Sequence, residues 1–220
     1  MDFIKALFDS WPLFLQGMGI TLALSVVSLL MAVPGGALVA WLAMSRIAPL
    51  RWLATAYIGL VRGTPLITQI FVLYFGLTGL FLLSGFWAAS IGLAFHNSAY
   101  IAEIYRSGFQ AVPAGLTEAS RSLGMSRVKT LRRVRAPLAV RTMLPALGNQ
   151  FIIAVKDSSL AAFVTVEDLL WHARSLVDST YQPLRYYIIV ALYYLVIVLI
   201  LTFLVNRLEF RLSRHRRAAR

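Results

Sequence analysis

Four ionisable residues, Arg62, Glu103, Lys156 and Asp157, fall within or beside long apolar stretches of this chain. A charge at the centre of a bilayer costs about 2.5–3.5 kcal/mol on insertion scales, so such residues pair with one another or face water. Their formal charges sum to zero, and mutual pairing accounts for them as well as a polar cavity does. In the third apolar stretch His96, Tyr100 and Glu103 recur at steps of four and three, on one helical face, with Asn97 beside them. A stripe of that kind either packs against another helix or lines a water-filled path. Thr68 and Gln69 in one apolar stretch, and Ser158 and Ser159 in another, could supply the opposite wall. The chemistry on offer is recognition of a polar solute by fixed charges, an ammonium meeting a carboxylate or the reverse. Covalent chemistry has little to stand on: there is no Gly-x-Ser-x-Gly elbow, no His-Glu-x-x-His spacing around His172 or His215, and no cysteine.

Those side chains must be carried by elements that cross a membrane. Hydrophobic residues make up 59% of the chain and charged ones 14%, and the mean hydropathy is +0.74. A soluble domain of 220 residues could not hide that much apolar surface. A helix needs about 20 apolar residues to cross the hydrocarbon core. Five windows reach that length: 18–44, 57–83, 86–105, 142–166 and 186–205. The expected fold is all-α and polytopic, with about five transmembrane helices in a single membrane domain spanning 1–220. Pro34, Gly35 and Gly36 predict a bend in the first window. Ser84 and Gly85 leave room for only a short turn, so spans two and three form an antiparallel hairpin. Met1 to Trp11 holds no small-residue cleavage site, and the first span is expected to act as its own insertion signal.

The net charge of +12 reads as topology. Arg46 and Arg51, the eight Lys and Arg from Arg106 to Arg141, and the six from Arg207 to Arg220 fall on one side of the five windows. Lys5, Arg174 and Arg185 fall on the other. By the positive-inside rule the first side is cytoplasmic, which puts the N-terminus outside, and inside both the 106–141 loop and the basic tail 207–220. No aromatic and basic platform accompanies the charge, so nucleic acid is not an expected partner. No Walker sequence occurs either, and the chain has no phosphate cradle of that kind.

The cytoplasmic loop has its own local logic. Pro113 and Gly115 break the chain, Thr117 can cap a new helix with Glu118 in its first turn, and Gly124 interrupts that helix after about two turns. Ser126 can cap a second short helix running to Arg135, before Pro137. Two short helices meeting at a glycine make a compact knob that another protein can approach closely.

The spacing Glu118-Ala119-Ser120, three residues, Gly124, nine residues, then Val134-Arg135-Ala136-Pro137 resembles the EAA loop of membrane subunits of bacterial ATP-binding-cassette (ABC) importers. Arg62-Gly63-Thr64-Pro65-Leu66, Ala99 to Ile104, Val112-Pro113-Ala114-Gly115, Pro145 to Asn149 and Lys156 to Leu160 stand in the order seen in permeases of the polar amino acid uptake family. The likeness covers about 17–211. Val134 and Ala136 replace the family's usual Ile and Leu and keep an apolar surface. The resemblance implies a coupling loop of Glu118, Ala119, Ser120, Gly124, Val134 and Pro137 seated in a groove of an ATPase. It implies a bacterial inner-membrane location, a second permease chain, identical or related, two ATP-binding subunits, and a periplasmic or lipid-anchored solute-binding protein meeting the outer segment 167–185. ATP and Mg would sit on the partners, with no cofactor on this chain. A polar amino acid would pass by alternating access near Gln69, His96, Asn97, Tyr100, Glu103, Asp157, Ser158 and Ser159. Two other classes compete. An ion-coupled secondary transporter would be built from repeated halves, and no internal repeat is present. A membrane-embedded enzyme would have to rest on His96 with Glu103.

Overall fold

Hydrocarbon offers no partners for peptide groups, so an apolar stretch crossing it must satisfy its own backbone, and the helix does so locally. The computed structural model describes residues 2–80 and 82–217, and side chains at 3–80 and 82–212. The His215 side chain and Arg220 of the basic tail therefore lie outside it. Among the described residues nine α-helices follow in order: α1 (Asp2–Ala43), α2 (Ala48–Gly63), α3 (Leu66–Phe71), α4 (Gly85–Gln110), α5 (Ala114–Ser122), α6 (Arg127–Thr130), α7 (Ala136–Asp157), α8 (Leu169–Thr180) and α9 (Pro183–Arg217). Among the described residues Phe3–Ala43, Arg127–Val164 and Pro183–Leu212 are long and apolar enough to cross a membrane. The bent pair Ala48–Gly63 and Leu66–Gly76 adds a fourth if it counts as one span. At 26 residues α4 is about 39 Å long, enough to cross, but its polar stripe makes it less apolar than those.

Small residues set how closely the helices pack, since lipid gives apolar faces no reason of their own to associate. A Cβ added at Gly36 of α1 would come within 2.6 Å of Ile101 in α4, and one at Gly92 of α4 within 2.8 Å of Ile70 in α3. Ala32, Ala94 and Ile101 fill the first seam, and Leu24, Ile70, Leu93 and Val164 lie in the second. Where α8 packs on α1 and α9, Phe14 stacks on Tyr193, with ring centroids 5.0 Å apart, in a cluster with Leu169, Ala173 and Ile189.

The chain runs through Pro34 as continuous helix. Two sequence expectations need correcting. The second window is not one straight span: α2 and the α3 stretch meet at 102° across Thr64 and Pro65. Proline forces its preceding residue out of helical geometry, and Thr64 is extended at φ −117°, ψ 144°. The freed carbonyls are met from nearby, where Gln69 Nε2 donates to the carbonyl of Val61 at 2.9 Å and to Thr64 Oγ1 at 2.8 Å. Nor does the second short helix of the 106–141 loop stop before Pro137. Leu131–Arg135 widens into a π-helical turn, with the Ala136 N–H reaching Leu131, and leads directly into α7. A wider turn removes the register in which the missing Pro137 N–H would be a defect.

A polar line between helices and a coupling elbow

The α4 stripe is real as a face, but its members have different tasks. The His96 and Tyr100 rings lie 5.1 Å apart, and the Arg62 guanidinium from the end of α2 sits 5.2 Å above the Tyr100 ring. Asp157, at the C-terminal end of α7, lies within electrostatic reach of both His96 and Lys156. One line thus runs from a cation through two polarisable rings to a carboxylate, across three helices. The Nδ1 of His96 is buried without a hydrogen-bond partner. Glu103 does not join Arg62 or Lys156. It is half-buried and binds Arg106, one turn on, at 2.6 Å, and Arg106 in turn donates to Gln110 at 2.9 Å.

Asn97 is turned wholly inward. Its Oδ1 accepts from Gln150 Nε2 of α7 at 2.7 Å while its Nδ2 donates to the Leu93 carbonyl at 2.8 Å. A buried amide pair of this kind fixes the register of α4 against α7, because removing one partner strands the other at about 1–3 kcal/mol. Gln150 was missed by sequence reasoning, although an amide in an apolar span is a signal in itself. Ser158 is also buried, donating to the Val155 carbonyl at 2.8 Å, and Ser159 is half-buried in the 3₁₀ segment Ser158–Val164. Gln69 is committed to the α2–α3 break. With Thr68 it borders a groove of about 460 Å³ lined by Tyr57, Leu60, Leu73 and Phe95, away from the His96 line. Tyr57, also missed, ties α2 to α4 through a 2.6 Å bond between its hydroxyl and Ser98 Oγ.

The elbow is built as follows. α5 begins at Ala114, capped in extended geometry by Pro113, so it starts three residues before the expected Thr117 cap. It ends in the arrangement that a left-handed residue makes possible: Met125 N–H reaches the Ser120 carbonyl, Gly124 N–H reaches that of Arg121, and Gly124 has φ +76°. Ser126 does cap α6, accepting from Lys129 N–H at 3.2 Å. Glu118 and Ala119 are exposed, as are Gly124 and Pro137, and Val134 is half-buried. Ser120 is buried and donates to Thr130 Oγ1 at 3.3 Å, closing α5 onto α6 from within. Leu123 stands 84% exposed at the apex. The outward face is thus an apolar tip among Arg121, Arg127, Lys129 and Arg132. Among the described residues no three His, Asp or Glu side chains converge as a metal site requires.

Residues 32–214 match the family described as the binding-protein-dependent transport system inner membrane component. The chain is 39% identical over 212 residues to the probable glutamine ABC transporter permease GlnM of Bacillus subtilis, covering 96% of this chain and 98% of that one. It is 36% identical to the glutamine transport system permease GlnP of Escherichia coli, over 95% and 97% of the two chains. A crystal structure of an amino acid ABC transporter with histidines superposes at a TM-score of 0.90 and 38% identity, over 96% of this chain and 99% of that one. A non-enzymatic transport subunit, with ATPase activity residing in partner subunits, is what this family describes. The chain belongs to the binding-protein-dependent inner membrane transport family, as a permease subunit of an amino acid ABC transporter.

Proposed function

We propose that the chain translocates polar amino acids by alternating access along the Arg62–Tyr100–His96–Asp157 line, and that the α5–α6 elbow transmits closure of the ATPases to the spans. The observation that carries this reading is the line itself. Arg62 and Asp157 offer opposite fixed charges to a zwitterion, and neither is consumed by the Glu103–Arg106 pair. Two permease chains, two ATP-binding subunits carrying ATP and Mg, and a solute-binding protein at α8 complete the complex. Glutamine, opine and arginine permeases among the relatives support a polar amino acid as cargo.

Asp157→Asn tests the line. In proteoliposomes containing the full complex, the substitution is expected to weaken uptake of the preferred amino acid by about tenfold and to change the rank order among basic, neutral and acidic competitors, since one unpaired charge contact in a dry site is worth at least 1.4 kcal/mol. Uptake falling by one common factor for every substrate, in step with the amount of assembled complex, would make Asp157 a structural charge and overturn the assignment.

The proposed orientation has five spans, with the N-terminus outside and the tail inside the inner membrane. It rests on Lys5, Arg174 and Arg185 facing one side and the loop and tail cations facing the other. A cysteine replacing Lys5 is expected to react with a membrane-impermeant thiol reagent in intact spheroplasts, and one replacing Glu209 to react only after lysis. The reverse pattern would reverse the topology.

A further inference from the structure

Where α8 meets α1 and α9, two buried polar atoms have no hydrogen-bond partner: Asp168 Oδ2 and His172 Nε2. Buried polar groups are paired in the great majority of cases, so two orphans on successive turns of one helix call for an explanation. The cluster is tightly built. Asp168 is fully buried and caps α8 through Oδ1, which accepts from Trp171 N–H at 2.8 Å. Thr21 of α1 accepts from Leu169 N–H at 3.2 Å. Gly17, one turn before Thr21, lets α1 lie so close that an added Cβ would meet the Asp168 carbonyl at 2.9 Å and His172 Cδ2 at 2.8 Å. The Tyr194 hydroxyl lies beside Thr21 and Asp168 from α9. The groups facing Asp168 are therefore Tyr194 from α9, His172 from its own helix with Glu167 beyond it, and only uncharged Gly17 and Thr21 from α1. Lys5, Asp9 and Arg185 line a cavity by Leu176. Among the described residues no lysine or arginine pairs with that carboxyl.

We propose that Asp168 is a proton-operated latch, which holds the outer helix α8 against α1 and α9 while neutral and loosens it when ionised. Burial pushes the Asp168 carboxyl up to about 7, against the pull of the Leu170 and Trp171 N–H groups, which favour the charged form. The docked state thus binds a proton that the undocked state, near the ordinary value of 3.8, has released. The sign follows: docking strengthens as pH falls from about 7 towards about 4, and is nearly independent of pH above 7. Local opening of one surface helix is a motion that folded proteins make well below their global stability. The latch rests on the packing of this chain alone and holds whether or not a binding protein docks at α8.

The test is hydrogen exchange of the α8 amides in the assembled complex in nanodiscs, with protection factors corrected for intrinsic rates. Between pH 5 and pH 8 the protection of residues 171–180 is expected to fall by about a hundredfold, most of it below pH 7. Asp168→Asn and Asp168→Ser both keep a capping oxygen and lack an ionising group. In either variant the fall is expected to vanish, and the second serves if the first does not assemble. Constant protection in the unmodified chain, or the same fall in a variant that cannot ionise, would overturn the latch.

Discussion

Gly124→Val is expected to cut ATP-driven uptake by about tenfold or more while the chain still inserts and pairs. Gly124 has φ +76°, where a side chain costs about 1–2 kcal/mol and a β-branched one more. No atom lies within 4 Å of its missing Cβ, so the penalty is purely conformational. The backbone must relax by leaving the left-handed region, and that would break both the Met125–Ser120 and Gly124–Arg121 bonds that end α5. The apex Leu123 and the angle between α5 and α6 would shift together. Since α6 runs through the π turn into α7, a displaced elbow would reach the helix that ends in Asp157. Measurement is of uptake, basal ATPase rate and ATPase copurification, beside Gly124→Asn, which tolerates the left-handed region and should keep most activity. Normal coupling in the valine variant would remove the elbow from the mechanism.

Gly124 and the Ser126 cap were legible because their reasons are local: a glycine between charged helix-formers, a serine three residues before an N–H. The stripe on α4 was legible as a face for the same reason, being fixed by helical periodicity alone. What lies opposite that face is not encoded nearby. Asn97 reads as a path-lining amide until Gln150, 53 residues away, is placed against it. Glu103 reads as a counter-charge for Arg62 or Lys156, and finds Arg106 one turn along instead. At Pro137 a sound local rule gave the wrong result, since a π turn accommodates a proline that a regular α-helix would not. Pro65 carried a local sign of the 102° break that the single 57–83 window passed over, and Gln69 reaches back across it to the end of α2. Asp168 was the least legible of all. In sequence it is one acid in a polar segment, and it is the close approach of α1 at Gly17, with Tyr194 of α9 beside it, that buries it.

That dependence on close approach is sharpest at the start of α4, where Gly85→Ala is expected to destabilise the assembled complex by about 1–3 kcal/mol, a fall in Tm of roughly 5 °C. A methyl at Gly85 would overlap the carbonyl oxygen of Val164, and would also lie 3.2 Å from Val166 Cγ2. The obstacle is backbone, so no rotamer change relieves it. Either α4 moves away or the turn at 164–166 does. That turn is already held in place, with Thr165 left-handed at φ 61° and its hydroxyl 3.2 Å from that of Tyr74. Moving it would also disturb the Asp168 N–H bond to the Val166 carbonyl, 2.8 Å long, and with it the start of α8. Moving α4 would instead open the Asn97–Gln150 register and the His96–Asp157 line. Gly19→Ala is the matched control, because nothing lies within 4 Å of its added Cβ. Thermal unfolding of the two purified complexes separates the accounts. Equal Tm values would mean that the start of α4 yields without cost, and that the helix contacts at Gly85 do not position the polar line.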